Sequence, residues 1–283
     1  MRHSGETCSK RDAQDFMTQA SLNDRRFGGM TRLYGVGGAA RVAQSHVMVV
    51  GIGGVGSWVA ESLARSGVTE LTLVDMDHIA ESNINRQIHA LESSVGQAKV
   101  LAMKARIAQI NPECCVHVVD DFVSPENWIE ILHQVQSDPS CQSPIMAVVD
   151  ACDQVKAKVT MADWAIRHKK FLVTLGAAGG KREAHRVEQG DLSLVTHDPL
   201  LAQLRYRLRK EKGAPKDGKK MGVHCVFSRE NVAPPDASCN IEGDGSLNCH
   251  GYGSVVTVTA SFGMVAASLI LNFLATGFEK TKK

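Results

Sequence analysis

Val49-Val50-Gly51-Ile52-Gly53-Gly54-Val55-Gly56-Ser57 is followed by Leu71-Thr72-Leu73-Val74-Asp75-Met76-Asp77 and then by Ser82-Asn83-Ile84-Asn85-Arg86-Gln87. The first two segments read as a strand, a glycine turn opening a helix, and a second strand ending in an acid. This is the pattern by which a parallel sheet holds an adenine nucleotide. The third segment decides between chemistries. Hydride transfer has little use for a dense polar run just past the ribose-binding acid, whereas cleavage of a triphosphate does.

Outward from this core, short apolar runs alternate with amphipathic ones: 47–51, 58–65, 71–75, 98–110, 116–119, 128–135, 145–150, 155–168 and 171–175. The repetition predicts an α/β fold, Rossmann-like, with a mostly parallel sheet and helices on both faces. Asn111-Pro112 ends one helix and Ser124-Pro125-Glu126 opens another. Over 213–253, glycine, proline and charge accumulate without periodicity, which predicts a long mobile crossover loop. The expected organisation is an N-terminal extension at 1–25, one domain at 26–275 with that loop at 210–253, and a polar tail at 276–283.

The chain has 283 residues, 43% of them hydrophobic and 22% charged, enough to bury a sizeable core. A net charge of +2 leaves affinity for a polyanion to a local patch. Eight irregularly spaced cysteines suggest a reducing, cytoplasmic setting, and none forms a C-x-x-C pair, so zinc of the usual paired-cysteine kind is not expected. The first twenty residues lack the apolar core of a secretory signal. The uncharged segment 255–275 is long enough to span a membrane, but it contains Thr257, Thr259, Ser261, Gly263, Ser268 and Asn272. A helix packed on a sheet is also apolar nearly all round, so a core element is expected there, with no stable membrane insertion.

Gly51, Gly53, Gly54 and Gly56 allow a tight turn and let backbone N–H groups approach a phosphate at a helix N-terminus. A nicotinamide dinucleotide site would use the same turn. Asp75, at a strand end, can accept both ribose hydroxyls, while Asp77 could equally cap a helix or lie in a loop. Arg86 and Lys99 discriminate, since adenylyl transfer places negative charge on phosphate oxygens and needs cations there. Asn83 and Gln87 could add neutral donors or cap a turn. Asp150 and Asp153 follow another strand, where a carboxylate could hold Mg²⁺ bridging phosphates or cap the next helix.

The ordered series GxGGxG, D-x-D, S-N-x-x-R-Q, V-G-x-x-K and D-x-x-D resembles the ubiquitin-activating-enzyme-like adenylating family, which includes enzymes of thiamine and molybdopterin synthesis. The resemblance covers 26–178. It implies ATP and Mg²⁺, with Asp75 on the ribose, Asn83, Arg86, Gln87 and Lys99 on the phosphates, and Asp153 as the metal ligand. It also implies a homodimer in which the partner subunit supplies an arginine from near its N-terminus. Arg26 and Arg32 are the candidates, although this chain reads RFGGMTR where the family has R-Y-x-R-Q.

The phrases RFGGMTRLYG, NRQIHAL, INPEC, VVDDFV, TLGAAGG and GVHCVFS resemble the branch of that family that modifies tRNA, over 26–263. The absent C-x-x-C pairs agree, because the sulfur-carrier relatives commonly hold zinc there. That likeness implies adenylation of the carboxylate of a threonylcarbamoyl group on adenosine, followed by ring closure with loss of AMP. The alternative is adenylation of the C-terminus of a small sulfur-carrier protein, with a cysteine-desulfurase or sulfur-acceptor system as partner. A nicotinamide-dependent oxidoreductase and a non-catalytic nucleotide-binding scaffold also remain open. Cys225 lies near the place where ubiquitin-type relatives carry a thioester cysteine, although closing a ring on an acyl adenylate needs none. For RNA, 205–220 carries Arg205, Arg207, Arg209, Lys210, Lys212, Lys216, Lys219 and Lys220 around Tyr206, and Lys181, Arg182 and Arg186 could extend the strip. A solvated helix face would read the same way.

Overall fold

The computed structural model describes residues 25–216, 218–236, 238 and 252–277. After helix α1 (Gly28–Ala43), strands and helices alternate: β1 (His46–Val50), α2 (Gly56–Arg65), β2 (Glu70–Val74), α3 (Lys99–Ile110), β3 (Cys115–Val119), α4 (Trp128–Ser137), β4 (Ile145–Asp150), α5 (Val155–His168) and β5 (Phe171–Leu175). The chain continues through β6 (Val187–Asp191), α6 (Pro199–Glu211), β7 (His224–Ser228) and α7 (Val256–Thr276).

The seven strands lie in the order β3-β2-β1-β4-β5-β7-β6, all parallel except β6, which runs antiparallel to β7. β1, β2 and β5 are buried along their whole length, so they read as unbroken apolar runs. Alternate residues serve opposite faces. Val47 and Val49 pack with Leu63 of α2, Met103 of α3 and Phe262 of α7. Met48 and Val50 pack with Trp128 of α4, Met161 of α5 and Leu204 of α6. From β1 the chain builds outward to β3 and then returns to place β4 on the other side of β1. That reversal opens a crevice at the carboxyl ends of β1 and β4, where ligands of open α/β sheets bind.

The apolar segment 255–275 forms α7, which is long and apolar enough to cross a membrane, but 61% of its most apolar 18-residue stretch is buried within the protein. Phe273 stacks on Phe171 of β5 at 4.0 Å, and a Cβ at Gly263 would meet Trp58 Cβ at 2.6 Å. It packs as a core helix against α2 and the sheet.

The expected crossover loop needs correction. Residues 224–228 are β7, an inner strand of the sheet, hydrogen-bonded to β5 and β6. Five residues with His and Cys among them, set between a glycine–lysine run and Arg229-Glu230-Asn231, carry no periodicity long enough to announce a strand. The rest of the expected loop over 239–251, the extension over 1–24 and the tail over 278–283 lie outside the described residues.

Candidate adenylate site

The glycine turn sits where β1 meets β4. Gly51 has φ +88°, and a Cβ there would lie 2.9 Å from the Ala151 carbonyl. A Cβ on Gly56 would lie 1.8 Å from Gly51 O, so only glycine lets α2 start this close to the strand. Gly53 and Gly54 face outward from that turn. The nearest atom to a Cβ on Gly53 would be Gln87 Nε2, at 3.9 Å, and Arg86 Cγ would lie 3.5 Å from one on Gly54. The N-terminus of α2 thus opens onto a space walled by the polar run.

Asp75 follows β2 at the same edge and is buried. Its Oδ2 accepts a hydrogen bond from Ile52 N at 2.6 Å and its Oδ1 one from Asp77 N at 2.9 Å. Burial pushes its carboxyl up, against the attraction of Lys99. Asn83 closes a short 3₁₀ turn, its Oδ1 accepting from Ala80 N at 3.1 Å, so here the turn-capping role is realised. That turn sets the backbone from which Arg86 and Gln87 project.

Arg86 is buried, and its backbone carbonyl accepts from Trp58 Nε1 at 3.0 Å and from Thr259 Oγ1 at 3.2 Å. Helices α2 and α7 therefore fix its position. Its Nη1 donates to Ser82 O and to Asn85 Oδ1. Among the described residues Nε and Nη2 make no hydrogen bond, which leaves donors for an anion. Gln87 Oε1 is buried without a partner. Lys99, buried at the start of α3, pairs with Asp77 Oδ2 at 2.6 Å, an exposed carboxylate standing where an anion can stand. His89, next to this cluster, has both ring nitrogens unpartnered, and burial with nearby Lys99 and Arg106 pushes it down to about 4.

Asp150 is turned into the core. Its carboxylate is fully buried and pairs with Lys158 Nζ at 3.1 Å, while Thr174 Oγ1, Cys152 Sγ and Cys152 N also donate to it. Burial works against the Lys158 ammonium, but the Asp150 carboxylate raises its pKa overall. The sequence carried a signal for this pair: Lys158 shares a helix face with Val155 and Ala162, a position that points into the core. Trp58 and Thr259, which lock Arg86, had no such signal, because their partner is a backbone carbonyl. Asp153 is exposed at the start of α5, with one hydrogen bond accepted from Gln154 Nε2 at 3.3 Å. An accessible carboxylate at this edge fits a divalent cation.

Cys225 is corrected from loop thiol to core residue. It lies within β7, fully buried, and burial pushes its thiol well above the ordinary range, the opposite of what a nucleophile needs. Lys181 is likewise no RNA contact, since it is buried and its Nζ donates to the carbonyls of His197, Ser228 and Glu230. Within the basic strip, Arg205 donates to Leu192 O and Val195 O, Arg207 pairs with Glu211, Arg209 donates to Pro215 O and Lys212 pairs with Asp163. Lys210, Lys216, Lys219, Lys220 and Tyr206 remain exposed. Arg182 and Arg186 are also exposed, Arg186 paired with Glu183. Arg26 lies over the Phe27 ring, and Arg32 projects from α1 into solvent.

A glycine turn at the switch point of a doubly wound sheet, faced by buried cations, defines an adenylate-binding α/β domain, and the chain belongs to the ThiF family, whose profile matches residues 28–283. Within that family it is similar to the tRNA threonylcarbamoyladenosine dehydratase of Escherichia coli K12, with 44% identity over 86% of this chain and 91% of the relative. The enzyme of the same name from Haemophilus influenzae is 40% identical over 91% of this chain and 96% of its own length. Among solved structures, the E. coli tRNA N6-threonylcarbamoyladenosine dehydratase in complex with ATP superposes with a TM-score of 0.77. Identity there is 41%, covering 95% of this chain and 97% of that one.

Proposed function

We propose that this protein catalyses the ATP-dependent dehydration of N6-threonylcarbamoyladenosine in tRNA, closing it to the cyclic form through an acyl adenylate. The observation that supports this most is the pair of cations, Arg86 and Lys99, buried beside the glycine turn, where a hydride-transfer site would have no use for them. The similarity to dehydratases along almost the whole chain supports the substrate.

In this reading Asp75 accepts the ribose hydroxyls, and the N-terminus of α2 faces the phosphates. The threonyl carboxylate attacks the α-phosphorus, and the bond to the bridging oxygen of pyrophosphate breaks. Arg86 and Lys99 are already desolvated and fixed, so they stabilise the charge that grows on the phosphate oxygens at little reorganisation cost. The carbamoyl nitrogen then attacks the activated carbonyl, loses its proton and expels AMP. Asp153 would hold Mg²⁺, which supplies charge neutralisation between phosphates. Lys210, Lys216, Lys219 and Lys220, with Tyr206 for stacking, are the candidate tRNA contacts. A homodimer belongs to the proposal, with Arg26 or Arg32 reaching the partner's site. Leu33 and Val36 on α1, 73% and 63% exposed in the single chain, favour a partner surface there. The five free cysteines among the described residues suit a cytoplasmic setting.

The test is incubation with ATP, Mg²⁺ and bulk tRNA, followed by mass spectrometry of the nucleosides. A modified adenosine lighter by one water, with one AMP and one pyrophosphate per event, is expected. AMP formation that responds to a small carrier protein and not to tRNA would overturn the reading.

A further inference from the structure

At the edge of the sheet opposite the glycine turn, β1, β2 and β3 begin with His46, Glu70 and Cys115, and His117 follows in β3. Register places His46 beside Glu70 and Glu70 beside Cys115. His46, Glu70 and His117 are buried, at 0%, 3% and 8% exposure, and one donor atom from each lies within 4.8 Å of the others. The connection between α4 and β4 folds across them. Gln142 N donates to Glu70 Oε1 at 2.9 Å, and Cys141 Sγ lies 3.8 Å from His46 Nδ1.

The separations suit a tetrahedral ion. Bonds of ~2.0–2.1 Å to nitrogen or oxygen and ~2.3 Å to sulfur imply N···O edges of about 3.3 Å and N···S edges of about 3.6 Å. Glu70 Oε1 lies 3.7 Å from His46 Nδ1 and 2.9 Å from His117 Nε2, and the cysteine edge is 3.8 Å. A second observation is independent of this spacing. Glu70 Oε2 is buried with no hydrogen-bond partner. Among the described residues no lysine or arginine pairs with Glu70. A buried carboxyl oxygen that meets no donor is an open ligand position.

We propose that His46 Nδ1, Glu70, His117 Nε2 and Cys141 Sγ form a zinc-type site that clasps the 141–143 connection to the base of the sheet. His46 Nε2 lies 2.7 Å from Thr72 Oγ1, and a hydroxyl accepts as readily as it donates. Freeing Nδ1, which faces Ser143 O at 2.9 Å, takes a shift of its proton to Nε2 and a turn of that carbonyl away from the ring. Cys141 is partly exposed, giving an entry path, and its thiol would release its proton to solvent as the sulfur binds the metal. The donors come from separate strands and a connection, so no cysteine pair announces them in the sequence.

The full chain, stripped with chelator and reloaded, is to be measured for zinc by mass spectrometry and for Co²⁺ by absorption. One zinc per chain is expected, with a rise in thermal midpoint and, for cobalt, a thiolate-to-metal charge-transfer band. Cys141→Ser should abolish that band, Glu70→Gln should weaken zinc at least tenfold, and a Cys8→Ser/Cys239→Ser/Cys249→Ser protein should keep both ion and band. ATP affinity, read at the other end of the sheet, should not change in the variants and reports that they fold. The site is overturned if the unaltered chain shows no thiolate–cobalt band, or if the ion survives in Cys141→Ser and Glu70→Gln alike.

Discussion

Replacing Lys158 by methionine separates a structural role for Asp150 from a role in nucleotide binding. Lys158 Nζ donates to Asp150 Oδ1 at 3.1 Å, Leu175 O at 2.8 Å and Thr174 Oγ1 at 3.3 Å, and neither member of the pair is exposed. Methionine fills most of the volume but strands a buried carboxylate. Breaking such a pair costs about 3–5 kcal/mol, a fifth or more of the roughly 5–15 kcal/mol that holds a domain together. Asp150→Asn should destabilise comparably by stranding the ammonium. The double variant Lys158→Met/Asp150→Asn should recover at least about 2 kcal/mol of the summed losses, because no buried charge remains. Urea unfolding gives the four stabilities of the cycle, and calorimetric titration gives ATP affinity for each folded protein. A cost below about 1 kcal/mol for Asp150→Asn together with a tenfold loss of ATP affinity, the result expected of a ligand-binding acid, would refute the structural role.

Other consequences are equally concrete. Gly56→Ala forces a methyl to 1.8 Å from Gly51 O and should cost about 1–3 kcal/mol together with at least tenfold in ATP affinity, measured by thermal unfolding and titration. His89 sits near 4 in the folded chain and 6.5 unfolded, so the unfolded state binds more protons between those values. Stability should therefore fall by roughly 3 kcal/mol as pH drops through that window, and His89→Leu, which strands no partner, should flatten the profile of urea midpoint against pH. Replacing Lys210, Lys216, Lys219 and Lys220 by alanine should lower the slope of log affinity for tRNA against log salt by up to about 3, with ATP affinity unchanged in titrations.

The sheet was legible because its strands are apolar runs spaced by amphipathic helices, and β4, α5 and β5 fall where the pattern puts them. The site was legible where chemistry demands particular residues at a turn. Gly51, Gly56, Asp75, Arg86, Gln87 and Lys99 converge on one edge because the connections that follow two adjacent parallel strands, β1 and β2, deliver them there. Asp150 was misread because a strand-end acid looks the same in sequence whether it faces solvent or a lysine one helix turn into the core. Cys225 was misread because β7 is short and polar at both ends, so composition marked a loop where non-local pairing makes a strand. The lysines of the strip could not be sorted by charge alone, since Lys212 is tied to Asp163 on another helix while Lys216, Lys219 and Lys220 are not.

The central claim is that Arg86 and Lys99 act on the transferring phosphate. Single-turnover release of pyrophosphate with threonylcarbamoylated tRNA, compared among the unaltered, Arg86→Ala and Lys99→Ala proteins, tests it most directly. Each variant should stay folded and lose about 10²–10³-fold in rate. Pyrophosphate released at the unaltered rate by either variant would contradict the account.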